Sequence, residues 1–203
     1  MSKIPYKIIA TLIMTANSAF AGGLNEPVTT APPVVAPIAQ GTDWTGAYVG
    51  LQYDTIADST FFNGAVDLNV DGQVYGIFAG YRYDFGQFVV GGEIDYMIGD
   101  GELGAGPAPI DFNRLLRVGI EGGFDAGRAL IYGTVGYADI QIGVPPEISS
   151  GGYFYGVGVD LLATDQIIVG VELLQHNFSD FDAPFAAGEL DALTAGINVG
   201  IRF

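Results

Sequence analysis

From Trp44 to the end of the chain, apolar and polar residues alternate with a period of two, in segments that recur about every 20 residues. No window in this region keeps a helical period. A period of two places successive side chains on opposite faces of a strand. Eight such segments are legible: 44–54, 73–84, 87–98, 112–124, 129–142, 152–162, 167–177 and 192–203. Three connections are tight, at Asp84-Phe85-Gly86-Gln87, Asp125-Ala126-Gly127-Arg128 and Ala163-Thr164-Asp165-Gln166. The other four, near 55–72, 99–111, 143–151 and 178–191, are longer, and short and long alternate strictly. An antiparallel barrel with turns on one side of a membrane and loops on the other has this pattern. Segments of roughly 10–12 residues also suit a tilted crossing of the hydrocarbon layer. The sequence therefore predicts an all-β fold, an eight-stranded antiparallel up-and-down transmembrane β-barrel over 44–203.

Composition decides which face of that barrel meets lipid. Hydrophobic residues are 49% of the chain and charged residues only 15%, although no apolar run is long enough to cross as a helix. In the last segment Leu193, Ala195, Ile197, Val199, Ile201 and Phe203 share one face, opposite Thr194, Gly196, Asn198, Gly200 and Arg202. The polar faces are crowded with glycine, which fits a narrow interior. Aromatic residues gather toward segment ends: Tyr81, Tyr83, Phe85, Phe88, Phe124 and Phe203 near the turns, and Tyr53, Tyr75, Tyr96, Phe112 and Tyr153 near the loops. Two such bands match the girdles of a membrane barrel, so the apolar faces are read as outward. Segment 129–142 carries aromatics on both parities, Tyr132 and Tyr137, and its facing stays open.

The first 21 residues read as a cleaved signal peptide: Lys3 and Lys7, a short apolar stretch Ile8–Ala16, then Ala19-Phe20-Ala21. Cleavage there removes the only lysines of the chain and no acid. Residues 22–43, with Pro27, Pro32, Pro33 and Pro37, read as an extended periplasmic tether ahead of the barrel. A net charge of −16 excludes an electrostatic grip on nucleic acid, and the absence of cysteine excludes disulfides and thiol chemistry.

The run Trp44-Thr45-Gly46-Ala47-Tyr48-Val49-Gly50 and the terminal Phe203 resemble the opening strand and chain end of the small Gram-negative outer-membrane β-barrels, the opacity-protein and OmpA-like family. Ile201 stands where that family often has a second aromatic residue. The resemblance implies an outer-membrane location, a structural or surface-interaction role and no shared catalytic residues. It also implies contact with outer-membrane lipid and lipopolysaccharide, and Phe203 as an assembly signal for the barrel-assembly machinery. No extracellular partner and no oligomeric state can be read from the sequence.

By parity, Arg82, Arg117 and Arg202 face the lumen with Glu93, Asp95, Glu121, Asp160 and Glu172. An eight-stranded barrel is just wide enough for side chains to fill, so confined charges must pair. The expectation is a salt-bridged plug, with Arg117 beside Glu93 and Asp95, and Arg82 and Arg202 low near Asp160. Asp67-Leu68-Asn69-Val70-Asp71-Gly72 matches the start of a calcium loop. Its twelfth position is Phe78 instead of Glu, so Asp67, Asn69 and Asp71 form only a weak calcium candidate, and no other cofactor is indicated. His176, the sole histidine, lies across the pleat from Ser179, and no G-x-S-x-G elbow is present. The reading is a structural, surface-exposed barrel that is not an enzyme. A narrow passive channel, a lipid-modifying barrel enzyme and a secreted ligand-binding barrel are the alternatives.

Overall fold

A computed structural model of the chain describes residues 42–62, 67–103, 109–143, 148–179 and 188–203. The signal peptide and nearly all of the tether read from the sequence lie outside these residues.

The eight long strands are β1 Gly46–Phe62, β2 Val70–Asp84, β3 Phe88–Leu103, β4 Pro109–Asp125, β5 Ala129–Ile142, β6 Ile148–Leu162, β7 Ile167–Ser179 and β8 Glu189–Arg202. A further two-residue pairing, Asp67–Leu68 with Phe62 and Phe61, extends the far end of β1. Every strand pairs antiparallel with its sequence neighbour, and β8 returns to pair with β1 from Tyr48↔Arg202 to Phe62↔Glu189. Closure removes both sheet edges, which is what lets a sheet stand in a membrane with every ladder hydrogen bond made.

The tight connections are built by their own residues. The Asp84 carboxylate accepts from the Gly86 N–H at 2.6 Å, and the Asp125 carboxylate from the Gly127 N–H at 2.6 Å. Gly86 and Gly127 sit at φ 104° and 84°, where a side chain would be strained. In the third turn the Thr164 hydroxyl accepts from the N–H of Ile167 at 3.0 Å.

The strands run farther toward the loop side than their sequence pattern shows, most of all β1, which reaches Phe62 instead of residue 54. Asp58, Asp71, Asp100, Glu102, Asp111, Glu189 and Asp191, which the sequence reading puts in or beside loops, are therefore ladder residues. Beyond the lipid no face has to be apolar, so pairing continues after the alternation fades. Two irregularities shift parity, between Ile56 and Asp58 and between Phe112 and Arg114. The second turns Phe112 inward, where it is 3% exposed, so it belongs to the core and not to the loop-side girdle.

Leu51, Ile120 and Ile197 are each more than 60% exposed, as lipid-facing residues must be in the bare chain. The open question at β5 resolves: Ile131, Val135 and Tyr137 point outward, while Leu130, Tyr132, Ala138 and Ile140 are buried inside.

Candidate functional site

Charged side chains from across the barrel meet in the lumen, in two linked groups. On the turn side, Arg82 of β2 donates through Nε and Nη2 to the Glu121 carboxylate of β4, at 2.6 and 2.9 Å. Its Nη1 stands 2.7 Å from Asp160 of β6. The guanidinium also lies over the rings of Tyr48 and Tyr132, at 4.5 and 5.3 Å. A planar, delocalised cation suits both tasks. The Tyr48 hydroxyl donates to Glu121 at 3.1 Å.

Higher in the lumen, Arg117 of β4 donates to Asp95 of β3 at 3.2 Å and to Asp54 of β1 at 3.1 Å. Gln52 then donates from one amide nitrogen to Asp54 and to Glu172, at 2.9 and 2.8 Å. Glu172 also accepts from the Tyr132 hydroxyl at 2.7 Å. Arg82 and Arg117 are 2% and 1% exposed, so these contacts replace water outright.

Two apolar clusters bracket the charges. Trp44, Val89, Leu130, Leu162 and Ile168 lie toward the turns, and Met97, Phe112, Phe154, Leu174 and Phe178 toward the loops. The Trp44 indole N–H reaches Asp125 and the Gly127 carbonyl, at 3.3 and 3.2 Å. The glycines of the polar faces make room for the network. A Cβ on Gly196 would come within 2.3 Å of the Asp54 carboxylate, and one on Gly91 within 2.4 Å of Glu121.

The structure thus brings together Arg82, Asp95, Arg117, Glu121, Asp160 and Glu172. Glu93 faces the same space, half-buried, without an ion pair among the described residues. Arg202 does not join. At the turn-side rim its Nε donates to the Asp165 carbonyl at 2.8 Å, and an Nη donates to the Asp43 carbonyl. Its position one residue from the chain end leaves it below Asp160, on the water side of the apolar cluster. Asp54 and Gln52 are the residues the sequence reading passes over. They share parity with Tyr48, and that is the signal that finds them.

Residues 28–203 match the outer membrane protein beta-barrel domain. The chain belongs to that family. A relative described as a 22 kDa outer membrane protein of Rhizobium leguminosarum bv. viciae is 25% identical over 181 residues, covering 83% of this chain and 82% of its own. Among solved structures, Ail, the attachment invasion locus protein of Yersinia pestis, in complex with the heparin analogue sucrose octasulfate, is similar with a TM-score of 0.50. It is 17% identical, over 78% of this chain and 99% of that one. Neisserial surface protein A has a TM-score of 0.52 at 16% identity, over 78% and 98%. Membership of the outer membrane protein beta-barrel family places the chain in the bacterial outer membrane.

In the calcium candidate of this family member, Asp67 and Asp71 are ladder residues and Asn69 is not. Asp67 pairs with Phe62, and Asp71 with Glu102, on either side of Asn69. Asn69 and Asp71 are exposed, and among the described residues no three carboxylate or histidine side chains cluster as a metal site. His176 lies inside the barrel, 2% exposed, stacked between Phe154 and Phe178 at 5.8 and 6.0 Å. The Ser150 hydroxyl donates to the Ser179 backbone carbonyl, and Ser179 is itself exposed, outside the lumen that holds His176.

Proposed function

We propose that this chain is a structural, surface-displaying barrel whose lumen does not conduct, and that it supports the envelope and presents its loop-side strand ends to the exterior. The carrying observation is the pair of guanidiniums, Arg82 and Arg117, each held by two carboxylates between two apolar clusters. An ion entering the lumen would have to break these pairs, at about 3–5 kcal/mol for each broken buried pair. Nothing in this arrangement aims a nucleophile and a base at a common point, which favours a non-enzymatic role. Contacts with lipopolysaccharide at the outer rim, and with the assembly machinery through the exposed Phe203, belong to the same reading.

Purified barrel in planar bilayers is expected to give no unitary current steps in molar salt. Regular steps that persist in wild type and grow in Arg117→Ala would replace this reading with a narrow channel. The exposed loop-side acids also disfavour a polyanion such as the sulfated ligand with which Ail was solved. Asp58, Asp71, Asp100, Glu102 and Asp111 repel a polyanion, and Arg114, the one cation among the described residues at that end, is paired to Asp139.

A further inference from the structure

Above Arg117, on the loop side of the lumen, the apolar cluster does not close completely. It leaves a cavity of about 40 Å³ among Val70, Val74, Phe112, Leu115, Phe178 and Ala192, with His176 on its wall. That is room for about three water-sized bodies. Water is poorly suited to it, because a buried water needs two to four polar partners and this wall is apolar. The polar side chains on it are His176 and Thr194, and the Thr194 hydroxyl already donates to the Leu174 carbonyl at 3.4 Å.

His176 is the second observation. It is 2% exposed, and among the described residues its ring nitrogens have at most the Ala192 backbone beside them, with no hydrogen bond of ordinary geometry. Burying such a group unsatisfied is costly unless something completes it. Its ring is fixed by stacking on Phe154 and Phe178, so it does not swing away to find a partner elsewhere. An uncharged imidazole offers one N–H and one lone pair. With the N–H turned to the Ala192 carbonyl across the ladder, the other nitrogen remains a bare acceptor.

We infer that this cavity is a binding site for a small uncharged amphipathic molecule, an alcohol of three or so carbons or the hydroxylated apolar end of a larger solute, whose O–H donates to His176. The apolar body fills the space between Val70, Phe112 and Leu115, and the single donor completes the imidazole. The inference stands apart from the non-conducting reading, since a cavity above the ion pairs needs no passage through them.

His176 is the only histidine in the chain, so ¹⁵N-histidine labelling of the whole refolded barrel gives one imidazole to follow. Titration with 1-propanol is expected to shift its acceptor nitrogen saturably, with half-saturation roughly in the millimolar range, the scale for four heavy atoms. Ethyl methyl ether, similar in size but without a donor, should give no saturable shift. Ala192→Leu fills the cavity and should abolish the propanol response while leaving the barrel's heat-modifiable migration intact. Ala192→Val serves if the larger residue prevents folding. A propanol response that is linear, or equal to that of the ether, or unchanged in the filled variant, overturns the assignment. So does a ring that exchanges magnetisation with water and ignores the alcohol. Adding 1-hexanol separates the two sources: a saturable shift from hexanol as well as propanol assigns the site to chain ends, and a shift from propanol alone assigns it to small free alcohols.

Discussion

Arg117 and Glu93 lie within reach of the same acids, yet their removal should have opposite consequences. Arg117 is held by Asp95 and Asp54, and Arg117→Ala strands both carboxylates in a site from which water is excluded. We expect it to lower folding stability by about 3–5 kcal/mol. Among the described residues Glu93 makes no ion pair, and the acids Asp95, Glu172 and Glu121 around it each outweigh Arg82. Glu93→Gln keeps the shape and removes one like charge, so its urea midpoint in lipid vesicles should equal or exceed that of wild type. Equal loss in both variants would mean that shape alone, and not pairing, holds the lumen. Much of this was legible from parity, which separates inward from outward residues without any structure. Height along the barrel axis was not, because it depends on strand tilt and register. That is why Arg202, inward by parity, ends on the rim, and why Asp54, at the apparent end of the first strand, turns out to be central. Phe112 shows the other limit. One extra residue beside Asn113 reverses every facing beyond it, and no local residue preference announces it.

At the scale of the strand, the portion inside lipid and the portion beyond it obey different rules. Inside, the outward face must be apolar, and the alternation of β7 and β8 could be read directly from the letters. Beyond, the ladder continues on backbone hydrogen bonds alone, so the lengths of β1 and β3 could not be read from the sequence. Those extensions place like charges opposite one another, Asp71 with Glu102 and Asp100 with Asp111. Directly opposed like charges weaken a ladder by roughly 0.2–1 kcal/mol. Asp111→Lys is thus expected to stabilise the β3–β4 extension and to slow amide hydrogen exchange near Gly101, with the gain fading at molar salt. Unchanged protection would show that these side chains splay apart into water. Two of the three turns, by contrast, could be placed from Asp84-Phe85-Gly86 and Asp125-Ala126-Gly127, since each carries its own carboxylate and its own left-handed glycine, while the third rests on the Thr164 hydroxyl.

The barrel as a whole has two unlike ends: three compact turns at one and the long, acidic strand extensions at the other. If the turns lie in the periplasm, Asp100→Cys should react with an impermeant maleimide on intact cells, and Gln166→Cys should react only after lysis. The reverse pattern would invert the barrel in the membrane. The seam carries a consequence of another kind. Closure joins Tyr48 to Arg202, and the Phe203 N–H donates to the Ala47 carbonyl at 2.9 Å, so the first strand finds its second partner only in the last residues of the chain. Contacts of such sequence separation are slow to form and expose apolar surface until they do. The barrel therefore has no useful half-made form. Until β8 meets β1, the chain holds at best an open sheet, with a lipid-loving face uncovered and two edges ready to pair with any neighbouring strand.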